Sequence, residues 1–292
     1  MFASLLSAFT IGLLFVPGDS APAQDTIAHL PVSPIGGEEI AIAGHLSASG
    51  VLIADIASGE RLYERQASVQ RPMASLAKLM TALIIVENHD LAEFVTVPRG
   101  VAATEGMKAY LPEGEQFTVG DLLSALLIAS ANDAAETLAI YHSGSIEAFT
   151  GAMNARARVL GLRQTSFADP VGFDHPRQWT TPQDLAWLAT FVLRFEPVRA
   201  RMGRRGASIF SRSSIRIDLT HTHALLHADT DVVAGKTGTT DGAGECLLSV
   251  VARGGKEYLV VLLRSQQRYG DMAAILEALA PEGEQELVTL AR

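Results

Sequence analysis

Ser75 and Lys78 stand three positions apart in Ser75-Leu76-Ala77-Lys78, and that spacing is the first sign of chemistry in the chain. On a helix, positions i and i+3 share a face, so a hydroxyl and an amine placed this way can touch within one turn. A serine hydroxyl is a weak nucleophile and needs a base within hydrogen-bond reach. Lysine can serve only if its pKa falls: unperturbed, roughly one molecule in 2,500 carries the neutral amine at pH 7. Burial and a second cation both lower that pKa. Ala74, Leu76, Ala77 and Leu79 supply apolar surroundings, an odd setting for an unpaired surface lysine, and Lys236 is a candidate second cation. The chemistry this pair can perform is acyl transfer through Ser75.

Two further strings follow in order, Ser130-Ala131-Asn132 and Lys236-Thr237-Gly238-Thr239. If the second is a strand, Lys236 and Gly238 share a face, and Gly238 leaves room for a substrate along the strand edge. Each string has a plainer reading. Ser75 suits a helix N-cap, Lys78 a solvated helix face, and Lys236–Gly238 a turn, because Thr239-Thr240-Asp241-Gly242 follows. Context separates the readings: Ser75 opens an apolar helical stretch, Ser130 ends one, and Lys236 opens a β-rich segment.

The elements that must position these groups are legible in outline. Ser49 to Ile56 and Arg61 to Glu64 flank Ala57-Ser58-Gly59-Glu60, a hairpin signal. Leu76, Leu79, Met80, Leu83, Ile84 and Val86 recur at helix spacing. Val119–Ala129, Asp133–Tyr141, Ile146–Leu160 and Pro182–Phe195 are predicted helices, the last with Thr180 or Thr181 as cap and Pro182 in its first turn. Beyond about residue 207 the period changes. Ile209, Ile215, Ile217 and Leu219 alternate with polar residues, and Val232–Lys236, Cys246–Ala252 and Tyr258–Arg264 are predicted strands before a closing helix, Tyr269–Leu279. Strands at both ends with helices between predict an α+β chain whose ends build one sheet.

At 292 residues and 48% hydrophobic, the chain can bury a substantial core, which excludes global disorder. A net charge of -9 and no long basic run argue against nucleic acid as a partner. The densest basic patch, Arg201-Met202-Gly203-Arg204-Arg205, reads as a solvated loop. Cys246 is the only cysteine; among Leu247, Leu248 and Val250 it reads as a small core residue, and no intrachain disulfide can form. Phe2 to Val16 is an apolar run shorter than a comfortable membrane span of ~20 residues. Pro17-Gly18 breaks it, and Ala21-Pro22-Ala23 offers a small-x-small cleavage site, so a mature chain starting at Gln24 is expected, although no Lys or Arg precedes the apolar run.

Together the strings form an S-x-x-K, S-x-N, K-T-G signature, and the chain resembles the D-alanyl-D-alanine carboxypeptidases, the low-molecular-mass penicillin-binding proteins. The likeness runs from about Ser49 to about Leu279. It includes Pro72-Met73-Ala74-Ser75-Leu76-Ala77-Lys78-Leu79-Met80-Thr81, Leu111-Pro112-Glu113-Gly114-Glu115, Ser130-Ala131-Asn132-Asp133-Ala134-Ala135, Met153-Asn154, Asp169-Pro170-Val171-Gly172 and Lys236-Thr237-Gly238-Thr239-Thr240-Asp241-Gly242-Ala243-Gly244. It implies a β-lactamase/penicillin-binding-protein transpeptidase-like fold with a helical lobe. Ser75 would attack the bond between the two terminal D-alanines of a peptidoglycan stem peptide, with Lys78 as base and Ser130 as proton relay to the leaving D-alanine. Asn132 would hold the substrate amide, Lys236 and Thr237 its carboxylate, and the N–H groups of Ser75 and Thr239 the oxyanion. β-Lactams would be covalent inhibitors, and no metal or cofactor is implied. Ala131 and Ala77 stand where the family usually has Gly and Thr. Thr222, in His221-Thr222-His223, stands where some relatives carry an Arg that helps hold the carboxylate.

The domain organisation expected is a signal peptide at 1–23, a linker at 24–47, the catalytic domain at 48–280 and a tail at 281–292, with a periplasmic destination. The tail carries Glu282, Glu284 and Glu286, and Arg292 is its only basic residue, so no stable membrane anchor is expected there.

Other functions fit parts of the pattern. A DD-endopeptidase would use the same residues on cross-linked peptides. A class A β-lactamase needs a Glu to activate the deacylating water, but no E-x-x-L-N string lies between Asn132 and Lys236, and Asp169 and Asp174 sit in turns. A silent penicillin-binding module predicts damaged motifs, and these are intact. His221, His223 and His227 could chelate a metal from a strand, but with no acidic or cysteine ligand nearby they read as a polar cleft edge. His89, His142 and His175 read as surface residues.

Overall fold

Alternation of side chains writes the central sheet into the chain. The computed structural model describes residues 40–280. The leader, most of the linker and the tail lie outside the described residues. β1 (Gly50–Asp55) and β2 (Arg61–Arg65) form one hairpin; β7 (Val232–Thr240), β8 (Gly244–Arg253) and β9 (Lys256–Ser265) form a meander. β1 pairs with β9, and all five strands run antiparallel in the order β2-β1-β9-β8-β7. The turn between β8 and β9 uses Gly254 and Gly255 at φ +60° and +74°, the left-handed conformation a two-residue hairpin turn demands.

One face of this sheet carries Val51, Ile53, Leu247, Val260 and Leu262, which pack with Met272 and Ile275 of α7 (Arg268–Ala278). The other carries Leu52, Leu248, Val250, Val261 and Leu263 and joins the larger core. That core holds α1 (Lys78–Asn88), α2 (Val119–Ile128), α3 (Asn132–Ser143), α4 (Ile146–Val159), α5 (Pro182–Val192) and α6 (Glu196–Gly203). Two short ribbons complete the fold: β3 (Phe94–Thr96) with β4 (Gln116–Thr118), and β5 (Gly206–Phe210) with β6 (Arg216–Thr220). The fold is thus α+β, an antiparallel sheet from both ends of the chain with helices on both faces. Asp271 of α7 joins those ends, accepting from Ser47 N–H at 2.6 Å, Ala48 N–H at 2.9 Å and Ser265 Oγ at 2.6 Å.

The structure departs from the sequence reading at three instructive places. β7 continues through Lys236-Thr237-Gly238-Thr239 to Thr240, because its pairing with β8 persists to Gly244. The reading that ended this strand at Lys236 weighed local turn propensity and missed that partner. The basic patch at 201–205 is a solvated loop only at Arg204 and Arg205, which are exposed beyond the end of α6. Arg201 lies on α6 and donates to the Gly120 carbonyl at 3.2 Å and Ser124 Oγ at 3.0 Å, while Met202 is buried. The β3/β4 ribbon was not anticipated; three residues per strand are too few to show a period. Elsewhere local rules hold: Thr181 rather than Thr180 caps α5, accepting from Asp184 N–H at 3.1 Å, with Pro182 in the first turn.

Candidate active site

Ser75 sits in a 3-10 turn, Ala74–Ala77, that leads into α1 at Lys78. It makes no capping bond, which removes the plainer reading of this serine. The turn is gripped from two sides. A Cβ on Gly172 (φ +102°) would lie 2.0 Å from the Ala74 carbonyl oxygen, and one on Gly238 would lie 2.9 Å from Ser75 N. Gly238 therefore lets β7 approach the serine turn itself. Ala74 takes φ +48° between them, a strained value for a residue with a side chain.

Lys78 is fully buried and its Nζ meets three acceptors: Ser75 Oγ at 2.9 Å, Asn132 Oδ1 at 2.7 Å and the Val171 carbonyl at 2.8 Å. An ammonium spends its three N–H bonds on these partners. A neutral amine has two, and Asn132 and Val171 accept both. The lone pair then faces Ser75 Oγ, as a base must. Burial pushes the Lys78 pKa down to about 7, against the opposing pull of Asp169, Asp133 and Glu136. Desolvation supplies the shift, where the sequence reading had also enlisted Lys236.

The second string links α2 to α3. Ser130 leaves α2 in the left-handed region (φ +57°), and its Oγ accepts from Lys236 Nζ at 2.7 Å. Asn132 begins α3, with Oδ1 toward Lys78 and its amide N–H₂ donating to the Glu105 carbonyl at 2.6 Å. Lys236 is also fully buried and donates to the Thr237 carbonyl at 2.8 Å. Burial first, then Lys78 and Arg268, hold its pKa well below the ordinary lysine value. The structure thus gathers Ser75, Lys78, Ser130, Asn132, Lys236 and Gly238 around one point. Ser75 is only half-buried there, while Lys78 and Lys236 lie behind it. Thr237 and Thr239 follow on β7, the terminal strand of its sheet.

Thr222 and Arg268 both lie against this strand. Thr222 places its hydroxyl 2.6 Å from that of Thr237. Arg268, which the sequence reading passed over, donates to the Gly238 and Cys246 carbonyls at 3.0 Å each and to Thr239 Oγ1 at 2.5 Å. No motif marks it; only the packing of α7 on the sheet brings it there.

The other candidates resolve into structural roles. His221 and His223 are buried, not at a cleft edge, because their rings have protein partners. His223 Nε2 pairs with Ser249 Oγ at 2.8 Å, and His221 Nδ1 accepts from His223 N–H at 3.0 Å. Burial, then Lys236 for His221 and Arg268 for His223, push their pKa values down to about 3 and about 4. His89 and His142 are not surface residues but a half-buried pair at 2.9 Å, where α1 and α3 end side by side; His175 is exposed. Cys246 is fully buried with its thiol pushed up to about 11, chiefly by burial. Asp169 closes its own turn, taking the N–H groups of Val171 at 2.8 Å and Gly172 at 2.6 Å. Asp174 takes Thr240 Oγ1 at 2.6 Å and Gly242 N–H at 2.8 Å.

Comparison with known proteins follows the same lines. A D-alanyl-D-alanine carboxypeptidase DacF of Bacillus subtilis is 29% identical over 263 residues, covering 88% of this chain and 65% of that protein. A D-alanyl-D-alanine carboxypeptidase DacC of Escherichia coli is 32% identical over 237 residues, covering 77% of this chain and 58% of the relative. The chain therefore spans a little under two thirds of the length of these relatives. The crystal structure of the Streptomyces K15 DD-transpeptidase superposes with a TM-score of 0.75 at 26% identity, covering 80% of this chain and 97% of the other. The family model for D-alanyl-D-alanine carboxypeptidases, Peptidase S11, matches residues 38–267, the stretch that contains every string gathered at Ser75, and the chain belongs to that family.

Proposed function

We propose that this protein is a serine D-alanyl-D-alanine carboxypeptidase that removes the terminal D-alanine from peptidoglycan stem peptides through an ester on Ser75. The observation that carries this reading is the buried Lys78, hydrogen-bonded to Ser75 at 2.9 Å and held by two fixed acceptors with its pKa near 7. Ser75 Oγ attacks the carbonyl between the two D-alanines as its proton passes to Lys78 Nζ. The oxyanion is received by the N–H groups of Ser75 and Thr239, a contribution of about 3 kcal/mol per donor in comparable sites. Ser130, whose Oγ already accepts from Lys236, passes its proton to the leaving amine and takes in turn the proton held by Lys78, which returns that lysine to its neutral form. D-Alanine departs, and water then attacks the ester carbonyl, giving a proton to the neutral Lys78, which passes it to Ser75 Oγ as the ester C–O bond breaks. Each proton movement has a side chain to carry it, so no step calls for a metal or cofactor.

The substrate lies along β7, where Asn132 meets its amide and Lys236 and Thr237 its carboxylate. Arg268 adds a guanidinium beside Thr239 and supplies positive charge where Thr222 has none. Among the described residues no helix is long and apolar enough to cross a membrane. With the apolar leader ending at Ala21-Pro22-Ala23, we place the mature enzyme in the periplasm.

Incubation with monomeric and cross-linked muropeptides, followed by mass spectrometry, tests the reaction. The expected product from pentapeptide monomers lacks one D-alanine. Conversion of dimers to monomers with pentapeptides left intact would show an endopeptidase instead.

A further inference from the structure

Glu136 lies one helical turn beyond Asn132 on α3, on the same face. It is half-buried, and its Oε1 accepts from Thr104 Oγ1 at 2.8 Å. Thr104 follows a short 3-10 turn, Val101–Ala103, and opens the stretch that passes over the start of α3. The next residues hold Asn132 at two points. The Glu105 carbonyl accepts its side-chain amide at 2.6 Å, and the Met107 carbonyl accepts its backbone N–H at 2.7 Å. Gly106 lies between them at φ +78°, so close that a Cβ there would come within 2.9 Å of Asn132 Nδ2.

Packing does little to hold this stretch, since no residue from 102 to 108 is buried. Its far end is bolted by Asp133, which accepts from Ala109 N–H at 3.1 Å and Leu111 N–H at 3.0 Å. Its near end is fastened to α3 by Thr104 and Glu136. The fastening matters because an amide has two unlike ends. Turned over, Asn132 would present N–H₂ to Lys78, donor against donor. The Glu105 carbonyl selects the productive orientation by accepting the N–H₂ end, and it can do so only where the loop is fixed.

We propose that Glu136, acting through Thr104, is a positioning residue for the reaction: the tie fixes the Glu105 carbonyl, which in turn aims Asn132 Oδ1 at Lys78. This inference rests on the reading of Lys78 as the base for Ser75.

The test follows acylation by a fluorescent penicillin at a pH above the Lys78 transition, about 8.5, with thermal melts to confirm folding. Glu136→Ala and Thr104→Val should each slow acylation roughly ten-fold, the loss of one hydrogen bond to a charged group. The double variant should be no slower than either single one, because both cut the same tie. Thr104→Ser, which keeps the hydroxyl, should restore the rate. In an Asn132→Ala background, followed over hours by intact mass, Thr104→Val should slow acylation no further. Rates near the parent value in both single variants, or equal slowing by Thr104→Val with and without Asn132, would overturn the proposal. If Glu136→Ala does not fold, the Thr104 variants decide. A parent chain that takes no acyl group overturns the reading of the site, whereas a parent that acylates with unaffected Thr104 variants overturns the tie alone.

Discussion

A β-lactam incubated with the purified protein is expected to leave one covalent adduct per chain on Ser75, and Ser75→Ala is expected to abolish it. The ring carbonyl of a β-lactam offers the serine the same kind of target as the bond between two D-alanines. The turn that carries Ser75 is gripped between Gly172 and Gly238, and Ser75 is half-buried there, with Lys78 Nζ 2.9 Å from its Oγ. Intact-mass measurement of parent and variant gives the answer directly. The effect should be complete, since the sole cysteine, Cys246, is fully buried with its thiol pushed up to about 11. An adduct that survives in Ser75→Ala would show that the nucleophile lies elsewhere.

Replacing Lys78 is expected to have the next largest effect. Lys78→Ala should slow acylation by about 10²–10⁴-fold, the usual contribution of a positioned general base. Lys78→Ala leaves the buried Asn132 and Val171 acceptors without their donor, so thermal melts accompany the kinetics to confirm folding. The pH dependence carries a second signature. A lysine base must be deprotonated to accept the serine proton, and the burial-lowered pKa of Lys78 is about 7. In the free enzyme kcat/KM should therefore fall as pH drops through about 7, with the proton returning to Nζ, and should flatten above it. An ordinary lysine would place that limb near 10.4. Measured profiles over this range, with stability checked at each pH, distinguish the two. A limb near 10.4 instead of near 7, or near-normal acylation in Lys78→Ala, would remove Lys78 from the role of base.

The tie between Glu136 and Thr104 shows where sequence reasoning stops. Ser75 and Lys78 were legible because helical spacing is local: two residues three apart face the same way whatever surrounds them. The apolar strands β1, β8 and β9, a threonine cap on α5 at Thr180 or Thr181, and the burial of Cys246 were legible for the same reason. Ser130, Asn132 and Lys236 were found by their resemblance to a known set of strings, which says that residues belong together without saying how they meet. The way they meet depends on partners far away in sequence. Asn132 Oδ1 reaches Lys78 because the Glu105 carbonyl takes its other end, and the Lys78 pKa falls to about 7 because the protein packs around it. Gly238, read from the sequence as leaving room for a substrate, also seats the Ser75 turn, a contact no pattern within β7 could reveal. Arg268 carries no motif and gains its place only when α7 folds onto the sheet. The identity and spacing of the reacting groups were thus contained in the sequence by itself, since both follow from local geometry. Their orientation, proton affinity and mutual distance were decided by the tertiary structure, because burial and hydrogen-bond direction come into being only when distant segments pack.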